Sequence, residues 1–256
     1  MASEPEAPTV AHAPHPPLRA YFASEAERPG WVRGIFDRTA ADYERVERAM
    51  AFGSGPWYRR QALARAGLAR GMRVVDVGTG TGLVAREAVR IVGDPEAVIG
   101  VDPSPGMLAN AHLPAGVRLL EGAAERIPLP DEYADFLSMG YALRHISDLA
   151  IAFREFRRVL RPGGVVCILE ITRPGSRVGA ALLKAYLRGV VPALARVVAS
   201  SADSPQLMRY YWDTIEACVP PQAVLATLAD AGFVNATRHV ELGVFSEYRA
   251  VAPKTG

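Results

Sequence analysis

The chain has 256 residues, half of them hydrophobic, and a formal net charge of +2. That is enough to bury one sizeable core, and a near-neutral balance gives no broad basic field for nucleic acid. The two cysteines, Cys167 and Cys218, form neither a disulfide framework nor a metal pattern, which fits a reducing cytoplasm.

Residues 1–19 are rich in Ala, Pro and Glu and read as a disordered tail without a signal peptide. His12 and His15 lie there without the frame a metal site needs. Residues 20–70 have helical apolar spacing, with Trp31, Val32, Ile35, Phe36, Val46 and Met50 before a break at Gly53-Ser54-Gly55-Pro56. This predicts a helical cap ahead of the first strand. Tyr43 lies in it and matters to chemistry only if the cap folds over the glycine-rich turn at residues 78–82.

That turn belongs to Arg73-Val-Val-Asp-Val-Gly-Thr-Gly-Thr-Gly82. The valines suit a strand buried on both faces, and the glycines lead into a helical pattern through Ile91. Strand, glycine turn and helix form a cradle for a charged ligand. Gly80-x-Gly82-x-x-Ala85, with Asp102 about twenty residues on, fits a dinucleotide fingerprint. Asp76, at the strand tip, suits instead a ligand with a cationic amino-acid end, S-adenosylmethionine, whose ammonium it could organise through loop backbone or water. A purely structural turn is the third reading.

Ala97 to Val101 reads as a second strand ending in Asp102, placed to accept from a ribose diol. Ser104 is a natural N-cap and Pro105 a natural first helical residue. Met107 can pack on an adenine face. Strands follow at Val117 to Leu120, Ala134 to Met139 and Val165 to Leu169, the last ending in Glu170, with a turn at Arg161-Pro162-Gly163-Gly164 and a helix from Asp148 to Leu160 between the last two. This alternation predicts a doubly wound α/β sheet, parallel at its centre, with ligands at the strand C-termini.

Arg177 to Ser200 departs from the alternation. Leu183, Leu187, Val190, Leu194 and Val197 make an apolar stripe, and Arg177, Lys184, Arg188 and Arg196 fall elsewhere. A lid, a membrane-surface helix, a dimer face or a plain core-covering helix all fit, with a kink at Pro192. No apolar run is long enough to span a bilayer. A further helix spans Asp203 to Cys218, with Tyr210, Tyr211 and Trp212. Pro221 to Ala231 is amphipathic, and two antiparallel closing strands follow at Phe233 to Val240 and Gly243 to Val251.

Several stretches together carry a resemblance: Ile35-Phe36-Asp37 with Tyr43, Met50-x-Phe52-Gly53, Trp57-Tyr58-Arg59-Arg60, the glycine loop, Asp102-x-Ser104-x-x-Met107, Leu143-Arg144, Val159 to Gly164, Leu169-Glu170, Ala202-Asp203-Ser204 and Asp230 to Phe233. Over residues 35–250 the chain resembles the UbiE/Coq5 (MenG) family of quinone-biosynthesis C-methyltransferases, of the class I S-adenosylmethionine-dependent type. The resemblance implies a Rossmann-like seven-strand domain over residues 20–256, mostly parallel with an antiparallel last strand. Residues 20–70 would be its cap and 176–218 a helical lid inserted after the fifth strand.

It also implies methylation of a ring carbon on a hydroxylated aromatic. Other small-molecule C-, O- or N-methyl transfer, and donor binding without catalysis, are the alternatives. The donor would be held by Asp76, Gly78, Thr79, Gly80, Gly82, Asp102, Pro103, Met107, Ala123, Ala124, Glu125 and Met139. Where the family has Leu-Arg-Asn, this chain has Leu143-Arg144-His145. Arg144 is then expected to clamp the acceptor's anion, His145 to act as base and Tyr43 to position the substrate. Ala123 stands where the family has an Asp that accepts from the adenine amino group, so Glu125 or backbone is expected to substitute. The resemblance predicts no metal, an apolar small-molecule acceptor, a cytoplasmic location with transient membrane contact, and leaves a homodimer open.

Overall fold

The computed structural model describes residues 13–24 and 26–254. Seven strands form one sheet: β1 (Val74–Val77), β2 (Val98–Asp102), β3 (Arg118–Glu121), β4 (Ala134–Gly140), β5 (Leu160–Ile171), β6 (Val234–Glu241) and β7 (Phe245–Val251). Their order is β3-β2-β1-β4-β5-β7-β6. β1 to β5 are parallel, and β7 runs against both β5 and β6. The order reverses at β1, so the crevice for a ligand opens above β1 and its neighbours.

The strand period of two divides the core between the faces. Val74, Phe136 and Cys167 pack with α2 (Gly55–Ala66) and α3 (Leu83–Val92). Val75, Leu137 and Ile168 pack with α5 (Leu149–Val159) and α9 (Pro221–Asp230). Both β1 and β2 are wholly buried, which explains their richness in valine and isoleucine around Asp76 and Gly100.

A third apolar cluster lies over the C-terminal ends of the strands. It joins Val32, Ile35 and Val46 of α1 (Arg28–Met50) to Val191 and Ala195 of α7 (Val191–Val198) and to Leu207, Tyr211 and Trp212 of α8 (Ser204–Ala217). Two chain segments far apart in sequence therefore make one roof. Asp37 fastens it to α4 (Pro105–Ala109), accepting from Ser104 Oγ at 2.5 Å and from the Gly106 amide at 2.9 Å.

Four local expectations need correction. Residues 1–12 of the expected tail lie outside the described residues, but His15 is buried: its Nε2 sits 3.0 Å from Arg28 Nη2, and the Val219 amide donates to Pro14 O. Arg161 to Gly164 continues β5, because the Gly163 amide and the Gly164 carbonyl both bond to Ala252. The kink at Pro192 takes the form of a π turn over Tyr186–Val190, between α6 (Arg177–Ala185) and α7. Proline has no N–H to offer the preceding turn, and the wider turn accommodates it. Finally, Arg177–Val198 is a 22-residue helical run with mean hydropathy 1.4, long and apolar enough to cross a bilayer by length and composition. Lys184, Arg188 and Arg196 break up its contiguous apolar runs, which is why the sequence concealed it.

Candidate active site

The glycine loop begins where β1 ends. Gly78 has φ +67, and a Cβ there would lie 2.6 Å from Ala142 Cβ, so this turn requires glycine. Asp76, just before it, is 1% exposed. Its carboxylate accepts from Thr79 Oγ1 and Ser138 Oγ, each at 2.7 Å. Burial pushes its pKa up to about 6, against the pull of those hydrogen bonds. Asp76 does not line the crevice; it ties the loop to β4. Gly82 also stands back, with Leu113 filling the place a Cβ would take.

Asp102, at the end of β2, does face the crevice. Its Oδ2 accepts from the Gly80 amide at 2.8 Å and its Oδ1 from the Ser104 amide at 2.9 Å. Each oxygen keeps a lone pair for a further donor, as two vicinal hydroxyls require. Burial raises this carboxyl to about 6 as well, opposed by those two amides.

The crevice holds a cavity of about 370 Å³, within the range of small-molecule sites. Gly78, Thr79, Gly80, Asp102, Pro103, Met107, Ala123, Ala124, Glu125 and Met139 all line it, as do Tyr43 and His145. Met107, Pro103 and Ala124 supply an apolar slot beside Asp102. Glu125 is poorly placed to replace the missing acidic adenine reader. Its Oε1 accepts from the Ser147 amide at 2.6 Å and the Asp148 amide at 3.3 Å, which fixes the loop after His145.

Arg144 and His145 share a single 3₁₀ turn, Leu143–His145, whose successive side chains point in different directions. His145 faces the cavity. Arg144 points away and does not line it. Arg144 is 1% exposed; its Nε donates to Glu170 Oε1 at 2.8 Å and its Nη1 to Thr214 Oγ1 at 2.6 Å. Burial works against its charge, but the Glu170 carboxylate outweighs that and raises its pKa. The expected anion clamp is therefore an internal tie between the sheet and α8.

His145 Nε2 is buried and has no partner among the described residues. Its Nδ1 lies 3.3 Å from Tyr210 Oη, and the ring stacks on Tyr210 with Phe36 edge-on. Burial, and then the nearby Arg144 and Arg28 guanidiniums, hold its pKa well below 6.5. The ring is neutral at pH 7. With the proton on Nδ1 toward Tyr210, Nε2 carries the ring's unused lone pair. Tyr43 Oη lies 2.8 Å from Tyr211 Oη on the same wall. Burial raises the pKa of both phenols, so both hydroxyls keep their protons.

Among the lining residues given no role on sequence grounds are Tyr141, Tyr211 and Arg59. Tyr141 follows β4 with φ 62, an uncommon backbone for a non-glycine residue. Arg59 comes from α2, where the sequence gives no sign that this arginine, rather than its neighbour Arg60, faces inward.

The cavity thus has the Asp102 carboxylate and an apolar slot at one part, the glycine loop in the middle, and an aromatic wall that includes His145. The orphaned His145 nitrogen and the unfilled acceptor capacity of Asp102 fit a nucleoside donor lying beside a second, aromatic molecule. The model of the ubiE/COQ5 methyltransferase family matches residues 23–251. Relatives named ubiquinone/menaquinone biosynthesis C-methyltransferase UbiE include one from Coxiella burnetii, 28% identical over 215 residues, covering 81% of this chain and 85% of its own. One from Yersinia pestis is 29% identical over 221 residues, covering 84% and 87%. Among solved structures, a Thermotoga maritima S-adenosylmethionine-dependent methyltransferase, described as a possible histamine N-methyltransferase, superposes with a TM-score of 0.59 at 23% identity, covering 86% of this chain and 98% of its own. Phosphoethanolamine N-methyltransferase 2 of Haemonchus contortus, solved with S-adenosylmethionine, gives 0.57 at 18% identity, covering 91% and 61%. These likenesses establish the Rossmann-like class I fold.

Proposed function

This chain belongs to the ubiE/COQ5 methyltransferase family, and from that premise we propose that it C-methylates a hydroxylated quinone-precursor ring. S-adenosylmethionine is the donor and supplies an activated methyl group when bound. The observation that supports the acceptor reading is the neutral His145 imidazole, a cavity-lining ring beside Phe36, Tyr43 and Tyr211 whose buried Nε2 has no partner among the described residues.

Asp102 accepts from the ribose hydroxyls, and Gly78, Thr79 and Gly80 bring backbone close to the rest of the donor. Met107 and Ala124 pack on its apolar face. His145 Nε2 takes the proton of a ring hydroxyl, and the resulting phenolate makes the neighbouring ring carbon nucleophilic. That carbon forms the new bond to methyl as the donor's sulfur–methyl bond breaks, its electron pair staying on sulfur to leave S-adenosylhomocysteine. The carbon then loses its own hydrogen as a proton to regain aromaticity. One proton is released per turnover. The hydroxyls of Tyr43 and Tyr211 orient the acceptor's oxygen, and the aromatic roof excludes water.

The test is incubation with methyl-labelled donor and a short-chain demethylated quinol, with the product's methyl located by NMR. A new ring C–CH₃ group is expected. A methyl ether would instead move the enzyme among O-methyltransferases, a chemistry an imidazole base also serves. Donor binding without transfer to any quinol would reject the enzymatic reading.

The location we propose is the cytoplasm, with contact at an anionic membrane surface. Cys167 and Cys218 are free thiols, as a reducing compartment favours. Val178, Leu182, Val190 and Val197 are exposed on the α6–α7 run, and residues 172–200 contain Arg173, Arg177, Lys184, Arg188 and Arg196 without one acidic side chain. An apolar face with basic flanks suits anionic lipid. The protein is expected to co-sediment with vesicles containing phosphatidylglycerol at low salt, and Leu182→Glu to weaken this. No sedimentation, with a dimer in analytical ultracentrifugation, would assign the face to self-association.

A further inference from the structure

Arg59 is a buried charged cavity residue that the chemistry above leaves idle. It is 2% exposed. One end nitrogen, Nη2, pairs with Glu47 of α1. Its Nε and Nη1 are buried and meet no acceptor among the described residues. Burial disfavours its charge, but Glu47 outweighs that and raises its pKa, so the guanidinium stays protonated. A buried cation with unanswered N–H groups is costly unless an occupant of the cavity supplies the acceptors.

The sheet order says which part of an occupant this is. Asp102 closes β2 and Tyr141 follows β4, with β1 and its glycine loop between them. Two strand spacings, about 10 Å, separate these ends. The Arg59 guanidinium carbon lies 5.8 Å from the Tyr141 ring centroid, so Arg59 belongs to the β4 side. A donor with its ribose on Asp102 and its chain across the loop carries its amino-acid end to that side. That end bears the donor's carboxylate, which can accept from an unanswered Arg59 N–H as a charge-assisted pair.

We propose that Arg59 binds the methionyl carboxylate of S-adenosylmethionine, with Glu47 holding the guanidinium in position. The proposal rests on the donor assignment and is independent of the acceptor's identity. Asp76, assigned by sequence to the same end of the donor, acts there only through the loop.

Calorimetric titration of the full chain with two nucleosides tests this without turnover. S-adenosylhomocysteine carries the carboxylate, whereas 5′-methylthioadenosine lacks the whole amino-acid portion. Arg59→Gln is expected to weaken S-adenosylhomocysteine about 10- to 100-fold, as loss of a charge-assisted pair does, and methylthioadenosine less than about twofold on the same scale. Arg59→Lys should recover part of the loss. If Arg59→Gln fails to fold, Glu47→Gln keeps the cation but loosens it, and should weaken S-adenosylhomocysteine selectively by a few-fold. Equal weakening of both nucleosides, or unchanged S-adenosylhomocysteine affinity with a raised acceptor KM, overturns the proposal. Wild-type protein that binds neither nucleoside would overturn the donor assignment instead.

Discussion

Arg144→Met is expected to destabilise the fold by about 3–5 kcal/mol, the usual cost of stranding one member of a buried ion pair. Arg144 and Glu170 are each 1% exposed, and Glu170 Oε2 already lacks a hydrogen-bond partner among the described residues. Without the guanidinium, Glu170 keeps backbone amides alone, that of Ile171 at 2.8 Å on Oε1 and that of residue 144. Thr214 and the Tyr211 carbonyl lose their shared donor too. Denaturant unfolding should show the loss, and Arg144→Met combined with Glu170→Met should recover much of it.

The loss should also depend on pH. Burial already raises Glu170 above the usual carboxylate value, against the pull of Arg144. Removing Arg144 raises it further. A carboxyl whose folded pKa exceeds its unfolded one favours the native state at low pH, and that contribution is lost as pH rises through the folded value. Arg144→Met should therefore be less stable at pH 8 than at pH 5. Unchanged stability with a raised acceptor KM would restore Arg144 as an anion clamp.

His145→Asn should lower kcat by about 10²- to 10⁴-fold, the range for loss of a positioned general base. Asparagine fills similar space and forms hydrogen bonds, but cannot take a proton. The pH profile is the sharper readout. The imidazole pKa lies well below 6.5, so wild-type kcat/KM should stay level from neutrality down past pH 6.5 and fall only as Nε2 becomes protonated. In the variant that acidic limb should vanish, and kcat/KM should climb with pH as the acceptor ionises unaided. S-adenosylhomocysteine affinity should not change. An acidic limb that survives the substitution would remove His145 from the proton transfer.

The donor side of the site was largely legible in the sequence because its determinants are local. Val74 to Gly82 carries strand, turn and helix start in one run, and Asp102 and Ser104 lie one strand further on. What sequence could not convey was direction. Asp76 and Gly82 belong to the motif yet support the loop from behind. Arg144 and His145 are neighbours in the chain, but a 3₁₀ turn sends one into the interior and the other into the cavity. Arg59 was quoted only as part of a motif, because its meaning depends on Glu47, twelve residues earlier on another helix. His15 sat in a proline-rich stretch that composition alone marks as unstructured, and only contact with Arg28 shows otherwise. The π turn before Pro192 likewise depends on packing, since a proline announces a break but not its geometry.

The roof of the cavity is woven from the two flanks of the sheet-forming chain. A polypeptide halted after Ile171 would already possess β1, the glycine loop, Asp102 and His145, yet the inward faces of Val32, Ile35 and Val46 would have lost Val191, Ala195, Leu207 and Trp212, their covering partners. Donor cradle and acceptor chamber are thus not separable modules. Completion of the reaction vessel waits on synthesis of the segment beyond β5, and its closure depends on contacts of long sequence separation, the kind that form late and slowly.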